Sequence, residues 1–389
     1  MFTNKRPKPK QDFMPVSTKA IMLAATVLCA LVSACSPTPN TQQTGAAGAK
    51  ESEHYSMQDF SKVEKIDAHV HVNVKDHSFL DQAKTDNFTL LSINVDYADF
   101  PAIQIQREVA VYFQALDKQH FAFASTFSMQ NWGATDWHTN VIQDIDLAIE
   151  QGAKAVKVWK NIGMTFKNSA DEWVMIDDPS FDPIFKHMSS KNLPLIGHQG
   201  EPKNCWLPLD EMTVNNDRQY FAAHPEYHMY LHPEFPSYQD QMDSRNRMLA
   251  NNANLPFMGA HMASLEWSVD ELATFFETNP KATADIAARS GQIQYQSQLD
   301  HNKVRDFFIK YQDRILYATD IAHNPGRDPE EFKQEVQDKW LQDWKYFNTS
   351  EVLHVPEVDG DIKGLALPKS VIDKIYRLNA QRFFGLKTN

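Results

Sequence analysis

Two histidines separated by one residue, His69 and His71, end the segment Lys65–His71. Residues two apart on a β-strand point to the same side, so both imidazoles are predicted to face one way at the end of the first strand. Paired imidazoles are good ligands for Zn²⁺ and similar divalent ions. Taken alone, the motif is explained equally well by a structural pair of histidines. Asp67 is predicted to share their face one step deeper, where a structural role is favoured over the orientation of a ligand.

Three more residues with metal-binding side chains end apolar runs further along the chain. His198 follows Leu195–Gly197, His261 follows Phe257–Ala260, and Asp320 follows Leu316–Thr319. Each of them alone is also consistent with a core or loop position. Chance does not readily explain why four separate strand ends all carry such residues, so the sequence predicts that they meet at one metal site.

The elements that must position these residues are eight short β-like runs, with helical patterns between most of them. The predicted strands are Val63–Val72, Phe88–Val95, Phe121–Phe127, Ala153–Trp159, Leu193–His198, Phe257–His261, Ala282–Ala287 and Arg314–Thr319. The predicted helices include Thr139–Gln151, Ser268–Asn279 and Asp300–Gln312. Eight strand–helix repeats predict an α/β fold, a (β/α)8 TIM barrel. The long intervals Gly200–Asn254, Met164–Pro179 and Ala322–Gly364 follow strand C-terminal ends and are predicted to wall the active-site pocket.

The N-terminal region has the pattern of an export signal. Residues 1–34 are basic and then apolar, ending in small residues before Cys35, which predicts a signal peptide. The four residues ending at Cys35 resemble a bacterial lipobox, so lipidation of Cys35 is predicted; an ordinary cleavable signal or an uncleaved anchor is the alternative. Residues 35–61 are predicted to be a flexible tether and residues 62–389 the barrel domain. The chain would then be an exported lipoprotein, facing the periplasm or anchored to the outer membrane in a Gram-negative host.

Charge and cysteine content narrow the range of partners. Removal of residues 1–34, which carry five basic residues and one acidic residue, changes the net charge from −12 to −16. Such an acidic body argues against a nucleic-acid partner. Cys205 is then the only remaining free cysteine, which leaves no intramolecular disulfide. A small-molecule substrate is expected, membrane contact only through the lipid, and the sequence makes no prediction of oligomeric state.

The order His-x-His, strand-five His, strand-six His, strand-eight Asp resembles that of the amidohydrolase superfamily. The segments Ala155–Gly163, Gly259–Ser264, Asp285–Arg289 and Phe307–Tyr317 resemble its amidohydrolase-2 branch. The resemblance runs from about Lys62 to Leu386. It is specific for the fold and the layout of the metal site but not for the substrate, since that branch includes lactonases, amide hydrolases, hydratases and non-oxidative decarboxylases.

The resemblance implies a ligand set for one divalent metal ion, Zn²⁺ or alternatively Mn²⁺: His69, His71, His198 and Asp320. His261 matches a residue that polarises the substrate or moves a proton in single-metal members. In two-metal members, a carboxylated lysine at the end of strand four bridges the ions, and Lys157 is the candidate here. For Lys157, an electrostatic or substrate-binding role and a structural ion pair with Asp67 or Asp320 are the alternatives.

The chemistry expected from this set is attack on a carbonyl carbon by a metal-activated water. Asp320 would accept the proton of the water and return it to the leaving group, while His261 and Lys157 would stabilise the oxyanion. Arg289 is predicted to hold a substrate carboxylate, with a capping or rim salt-bridge role as the alternative. Glu201 either enters the pocket or is a solvated loop residue.

A second group of histidines has helical spacing but is not favoured as a metal site. His224, His228 and His232 are four residues apart, but Pro225 and Pro233 restrict any helix there. They are expected to contribute to the pocket wall or to have no role in the site.

Three functions compete. The first is a hydrolase that cleaves an amide, ester or lactone bond of a small molecule. The second is a metal-dependent decarboxylase or hydratase that uses the same site. The third, a non-catalytic surface-anchored binding protein, is disfavoured because all five site residues are present.

Overall fold

The computed structural model describes residues 53–386. Eight parallel strands neighbour one another in sequence order, and a short ninth strand follows the eighth. The strands are β1 Lys65–Val72, β2 Phe88–Ile93, β3 Phe121–Thr126, β4 Val156–Val158, β5 Leu195–Gly197, β6 Phe257–Gly259, β7 Ala282–Asp285, β8 Ile315–Leu316 and β9 Ala322–His323. β9 pairs with β1, with His71 opposite Ala322, which closes the sheet into a barrel. The eight predicted strands are confirmed, each shorter than predicted.

Helices cover the outside of the barrel and fill the long connections. They are α1 Ser78–Thr85, α2 Ile103–Leu116, α3 Trp137–Glu150, α4 Asn161–Met164, α5 Asp182–Ser190, α6 Asn215–Ala223, α7 Tyr238–Asn251, α8 Ala260–Ala263, α9 Val269–Thr278, α10 Ser290–Leu299, α11 His301–Lys310, α12 Pro329–Asn348, α13 Lys369–Asp373 and α14 Asn379–Phe384. A hairpin of β10 Val352–Leu353 and β11 Ile362–Lys363 follows α12. The three predicted helices correspond to α3, α9 and α11. Among residues 53–386, no helix combines the length and apolar character needed to cross a membrane.

Alternation along the strands separates two apolar layers. Val156 and Val158 of β4 belong to the layer between sheet and helices. Small and apolar side chains, including Ala122 and Ile196, form a second cluster inside the barrel. Because neighbouring residues on a strand face opposite sides, Lys157 is directed into the barrel, as predicted.

Strand β1 contains an irregularity that the sequence pattern does not show. Its register against β2 shifts between Asp67 and Val70. Asp67 accepts hydrogen bonds from Thr319 and from the indole of Trp340 on α12, so it does not share the face of the two histidines. The prediction that it does is wrong, because a bulge reverses the alternation of side chains beyond it. These hydrogen bonds support the structural role that was favoured for Asp67.

The described chain begins with a segment that packs on the barrel. The hydroxyl of Tyr55 donates to Asp373 at 2.8 Å, the indole of Trp344 donates to Ser56 O at 3.0 Å, and Phe60 is buried. The prediction of a flexible tether is therefore wrong for residues 53–61, because aromatic side chains in this segment bury apolar surface. The predicted signal peptide and Cys35 lie outside the described residues.

Candidate metal centre

Three predicted ligands come together where β1 and the end of β8 meet. One possible ligand atom from each of His69, His71 and Asp320 lies within 4.8 Å of the other two. Asp320 Oδ1 is 3.2 Å from His69 Nε2 and 3.1 Å from His71 Nε2. Asp320 is more than 240 positions from His69 and His71 in the sequence. It lies beside them because its backbone N–H donates to His69 O at 2.8 Å, where the barrel closes.

Hydrogen bonds on the far side of each ring set the orientation of the two histidines. His69 Nδ1 lies 2.9 Å from Asp285 Oδ2, and His71 Nδ1 lies 2.6 Å from Ile93 O. Both partners are acceptors, so the network assigns the proton to Nδ1 and leaves the Nε2 lone pairs facing Asp320. Two imidazole nitrogens and one carboxylate oxygen suit Zn²⁺ or Mn²⁺. The residues present therefore fit a divalent ion.

Asp285, at the end of β7, is a site residue that the sequence reasoning missed. Its side chain is fully buried, Oδ2 accepts from His69, and Oδ1 accepts from the backbone N–H of His261 at 2.7 Å. A carboxylate behind a metal-binding histidine fixes the ring and its tautomer. The available signal was an acid ending the apolar run Ala282–Ala284, the pattern that led to Asp320 on the eighth strand.

The backbone leaves regular strand geometry at three of the strand ends near the site. Ala288 and Asp320 have φ of 53° and 70°, and the four residues from His261 to Ser264 have φ of 56° to 58°. Left-handed backbone is unfavourable for residues with a Cβ and is often found at functional sites. Gly259 lies shortly before this four-residue turn. A Cβ added at Gly259 would lie 2.4 Å from the Cβ of Ala263, so the turn packs closely against this position.

His198 and His261 lie beside each other at the same mouth of the barrel. Their ring centroids are 4.2 Å apart, and the His261 ring is 5.0 Å from that of His69. His261 Nδ1 lies 2.8 Å from Ala287 O. His198 is not part of the three-residue group that converges within 4.8 Å, so its role as the fourth ligand remains a prediction.

Lys157 lies inside the barrel against the metal-binding group. Its side chain is almost fully buried, and Nζ is 3.3 Å from His69 Nε2. Asp285 and Asp320 are close enough to favour its charged form, but burial dominates and lowers the pKa of Lys157 to about 8. A structural ion pair with Asp67 is excluded, since Asp67 bonds to residues on the outer side of the sheet.

Burial and neighbouring charges set the protonation of the site. Burial lowers the pKa of His261 to about 3 and also lowers that of His69. Burial opposes ionisation of Asp320, but the adjacent His261, His69 and His71 hold its pKa well below its usual range. At neutral pH His69 and His261 are therefore neutral and Asp320 is ionised, and a neutral imidazole and an ionised carboxylate are the forms that bind metal.

The two predicted substrate-binding residues flank the site. Arg289 is half-buried just beyond β7; Nη1 donates to Ala288 O, and Nε is buried with no hydrogen-bond partner within the described part of the chain. Its positive charge acts on both His261 and His198. Glu201 forms an ion pair with Lys160, so it is not a solvated loop residue.

A sequence model of a family described as amidohydrolase matches residues 66–386, most of the chain. The chain belongs to the amidohydrolase family. The resemblance inferred from the sequence is thereby confirmed, and the family places the chain among metal-dependent enzymes. No curated protein matches the sequence at a significant level.

Solved structures similar to this amidohydrolase include proteins named as a decarboxylase, a hydratase and a putative hydrolase. A 2,6-dihydroxybenzoate decarboxylase from Rhizobium has 14% identity and a TM-score of 0.48, covering 83% of this chain and 99% of its own. A 4-oxalomesaconate hydratase from Rhodopseudomonas palustris has 11% identity and a TM-score of 0.45, covering 82% and 95%. A putative 2-pyrone-4,6-dicarboxylic acid hydrolase from Pseudomonas putida has 8% identity and a TM-score of 0.43, covering 84% and 99%.

Aromatic side chains form one wall of the amidohydrolase site. The ring of Phe100 lies 5.1 Å from His71 and 5.2 Å from Tyr97, which lies 4.5 Å from Trp159. Trp159 is thus part of this wall, whereas Trp137 is buried in the outer core. The sequence reasoning missed Tyr97 and Phe100 because no motif marks the loop after β2.

The second histidine group does not form a metal site. His224, His228 and His232 lie in and between short 3-10 turns rather than on one helix. The ring of His228 bonds to Leu207 O, and that of His232 to Pro225 O. Their side chains are therefore engaged in separate local contacts, which agrees with the expectation from the prolines.

Proposed function

We propose that this amidohydrolase uses a metal-activated water to cleave an amide, ester or lactone bond of a small molecule. The observation that carries the proposal is the convergence of His69, His71 and Asp320, with their nitrogen lone pairs and carboxylate directed at one point. His261 and Lys157 lie beside this group. The set supplies metal ligands, a proton acceptor and a positive charge in one group of neighbouring side chains.

The proposed cofactor is a single divalent ion, Zn²⁺ or Mn²⁺. His69, His71 and Asp320 would hold it, with His198 as the fourth ligand. When bound, such an ion lowers the pKa of a coordinated water from 15.7 to about 7. A second ion would require carboxylation of Lys157. Burial lowers the pKa of Lys157 to about 8, but Asp285 and Asp320 oppose that effect and favour the charged amine, so we propose the unmodified lysine.

Asp320 is proposed to carry the proton between water and leaving group. Its carboxylate is ionised at neutral pH because His261, His69 and His71 outweigh the effect of its burial on the pKa. The side chain remains 31% exposed, so solvent can reach the carboxylate. A carboxylate placed in this way can accept a proton from the attacking water and return it to the departing atom.

His261 is proposed to accept a hydrogen bond from the attacking water, whose proton passes to Asp320, rather than donate to the oxyanion. The carbonyl of Ala287 can only accept, so His261 Nδ1 donates to it. The neutral ring then carries a lone pair on Nε2. Stabilisation of the oxyanion falls instead to Lys157, the buried cation beside the ligands.

The substrate is proposed to be a small anionic molecule with a planar or apolar body. Tyr97, Phe100 and Trp159 supply an apolar wall next to His71. Arg289 supplies a guanidinium whose buried Nε has no protein partner within the described residues. Glu201 would act with Lys160 as a neutral pair that accepts or donates hydrogen bonds at the pocket edge.

The first test is metal analysis of the full-length protein beside a His69→Ala/His71→Ala variant. We expect about one ion per wild-type chain and loss of it in the variant. His224→Ala/His232→Ala is the matched control, because it also removes two imidazoles but from partly exposed positions. Unchanged metal content in the His69/His71 variant would overturn the site assignment.

The second test is turnover of a panel of lactones, aryl esters, amides and aromatic carboxylates by the metal-loaded protein. Hydrolysis that is lost in Asp320→Asn supports the proposal. Release of CO2 or addition of water to a double bond would assign the same site to a lyase instead. Failure to bind any divalent ion would favour the binding-protein alternative.

We further propose that the protein is exported and anchored by a lipid on Cys35, from the residues that precede it. Metabolic labelling with palmitate in a bacterial host should mark the wild-type chain. The label should be absent from Cys35→Ser and retained in Cys29→Ser.

A further inference from the structure

His261 is carried by a turn whose conformation requires external support. His261, Met262, Ala263 and Ser264 all have φ between 56° and 58°. Four consecutive left-handed residues with side chains are unfavourable, because each Cβ crowds the following carbonyl. Contacts outside the turn must therefore hold it in place.

Helix α7 supplies two of these contacts from buried side chains. The hydroxyl of Tyr238 donates to Ser264 O at 2.6 Å, and Arg245 Nη1 donates to Ala263 O. The two residues are seven positions apart, two helical turns, so they lie on the same face of α7. Both are at most 5% exposed. This face of the helix therefore meets the two consecutive carbonyls at the end of the turn.

Neighbouring side chains hold Tyr238 and Arg245 in position. The indole of Trp267 donates to the Tyr238 hydroxyl at 2.8 Å, which directs the hydroxyl proton towards Ser264 O. The Arg245 guanidinium lies 4.6 Å from the ring centre of Phe275. Its other acceptor is the neutral side-chain oxygen of Asn246. Burial of a charged group that is paired only with neutral oxygens costs free energy. The presence of Arg245 here therefore indicates that its hydrogen bonds have a specific role.

Two further contacts fix the rest of the turn. The backbone N–H of His261 donates to Asp285, and the hydroxyl of Ser264 donates to Gln199 O at 2.9 Å, next to His198. The turn is thus attached to the ends of β5 and β7 inside the barrel and to α7 outside it. Without the α7 contacts, its C-terminal half would lose the donors to Ala263 and Ser264.

We infer that Tyr238 and Arg245 are positioning residues for His261. They fix the turn so that the imidazole keeps its hydrogen bond to Ala287 O and its place beside His198. The inference rests on the proposed function in one respect, the role of His261 as a hydrogen-bond acceptor for the attacking water. The structural part of it can be tested without a substrate.

The test is hydrogen exchange of the full-length protein, read on the segment from residue 257 to 266. In Tyr238→Phe and in Arg245→Gln we expect exchange in this segment to be about tenfold faster, from the loss of one hydrogen bond each. Exchange in β1 and the metal content should match wild type. Tyr346→Phe and Arg314→Gln are matched controls: Tyr346 donates to Ser297, and Arg314 donates to backbone carbonyls over the ring of Phe276.

The imidazole itself gives a second readout. Protein labelled with ¹⁵N-histidine should show a slowly exchanging Nδ1–H signal for His261, assigned by its loss in His261→Gln. The signal should broaden or disappear in the two α7 variants but persist in the two controls. If both variants keep the wild-type exchange and imidazole signal, or if the controls change equally, the positioning role is overturned. Failure of the proposed chemistry would leave these readouts unaffected.

Discussion

The carboxylate of Asp285 lies 2.9 Å from Nδ1 of His69, on the side of the ring that faces away from Asp320. This contact fixes the orientation of the His69 ring and its tautomer, with the proton on Nδ1. Through its other oxygen, Asp285 also holds the backbone of His261. One buried acid, Asp285, therefore connects His69, a proposed metal ligand, with His261, the proposed hydrogen-bond acceptor for the attacking water.

Replacement of Asp285 by Asn should weaken metal binding by about 10- to 100-fold, because the ring loses its charged partner and becomes a poorer ligand. Competition with a chromogenic chelator would measure this. Asp343→Asn is the control, since Asp343 is equally buried but bonds to Tyr317 and Lys339. Equal affinity in Asp285→Asn and wild type would contradict the assignment.

Lys157→Met should lower kcat by about 100- to 1,000-fold if Lys157 stabilises the oxyanion. Metal content should be retained, and affinity for the ion should increase at pH 7, because a positive charge 3.3 Å from His69 Nε2 has been removed. Steady-state kinetics and metal analysis would be compared with Lys160→Met, which removes a nearby lysine that is paired with Glu201. Loss of metal in Lys157→Met would instead identify a carboxylated lysine ligand.

Gly259→Ala should disturb the His261 turn. The added Cβ would lie 2.7 Å from Cα of Ala263, so backbone must move. We expect a destabilisation of about 1–3 kcal/mol, typical of overpacking, with loss of activity. Gly326→Ala is the control, because its Cβ meets open space and only the left-handed backbone, with φ of 88°, is penalised. Chemical denaturation would compare them; equal, small losses would show that the turn tolerates the methyl group.

Lys65→Met should change how stability depends on pH. Lys65 Nζ lies 4.7 Å from the ring centres of both Phe60 and Phe88. Burial of this side chain lowers its pKa from 10.5 to about 7. Between these values the unfolded chain holds the proton and the folded chain does not, so this group raises the free energy of unfolding as pH increases. The contribution is at most about 1.4 kcal/mol per pH unit.

The variant lacks this contribution. The free energy of unfolding of Lys65→Met, relative to wild type, should therefore be highest near pH 7 and decrease towards pH 10. Urea denaturation across that range would measure it, with Lys62→Met, an exposed lysine, as control. A relative stability that stays constant with pH would show that Lys65 does not titrate in this window.

The sequence by itself determined the eight strands and the residues at their ends. The strands and their terminal residues could be recognised because apolar runs of strand length end repeatedly in His or Asp. The alternation of residues around Lys157 also predicted that its side chain lies inside the barrel. These are local properties, and local spacing is readable from the chain. Asp285 was within reach of the same reasoning.

Only the tertiary structure decided the rest. The bulge in β1 separates Asp67 from the two histidines, although their spacing alone places them together. The supports of His261, from Asp285 and from Tyr238 and Arg245 on α7, come from elements distant in sequence. Such contacts depend on how strands shift in register and how helices pack on them, and no local pattern of residues encodes either.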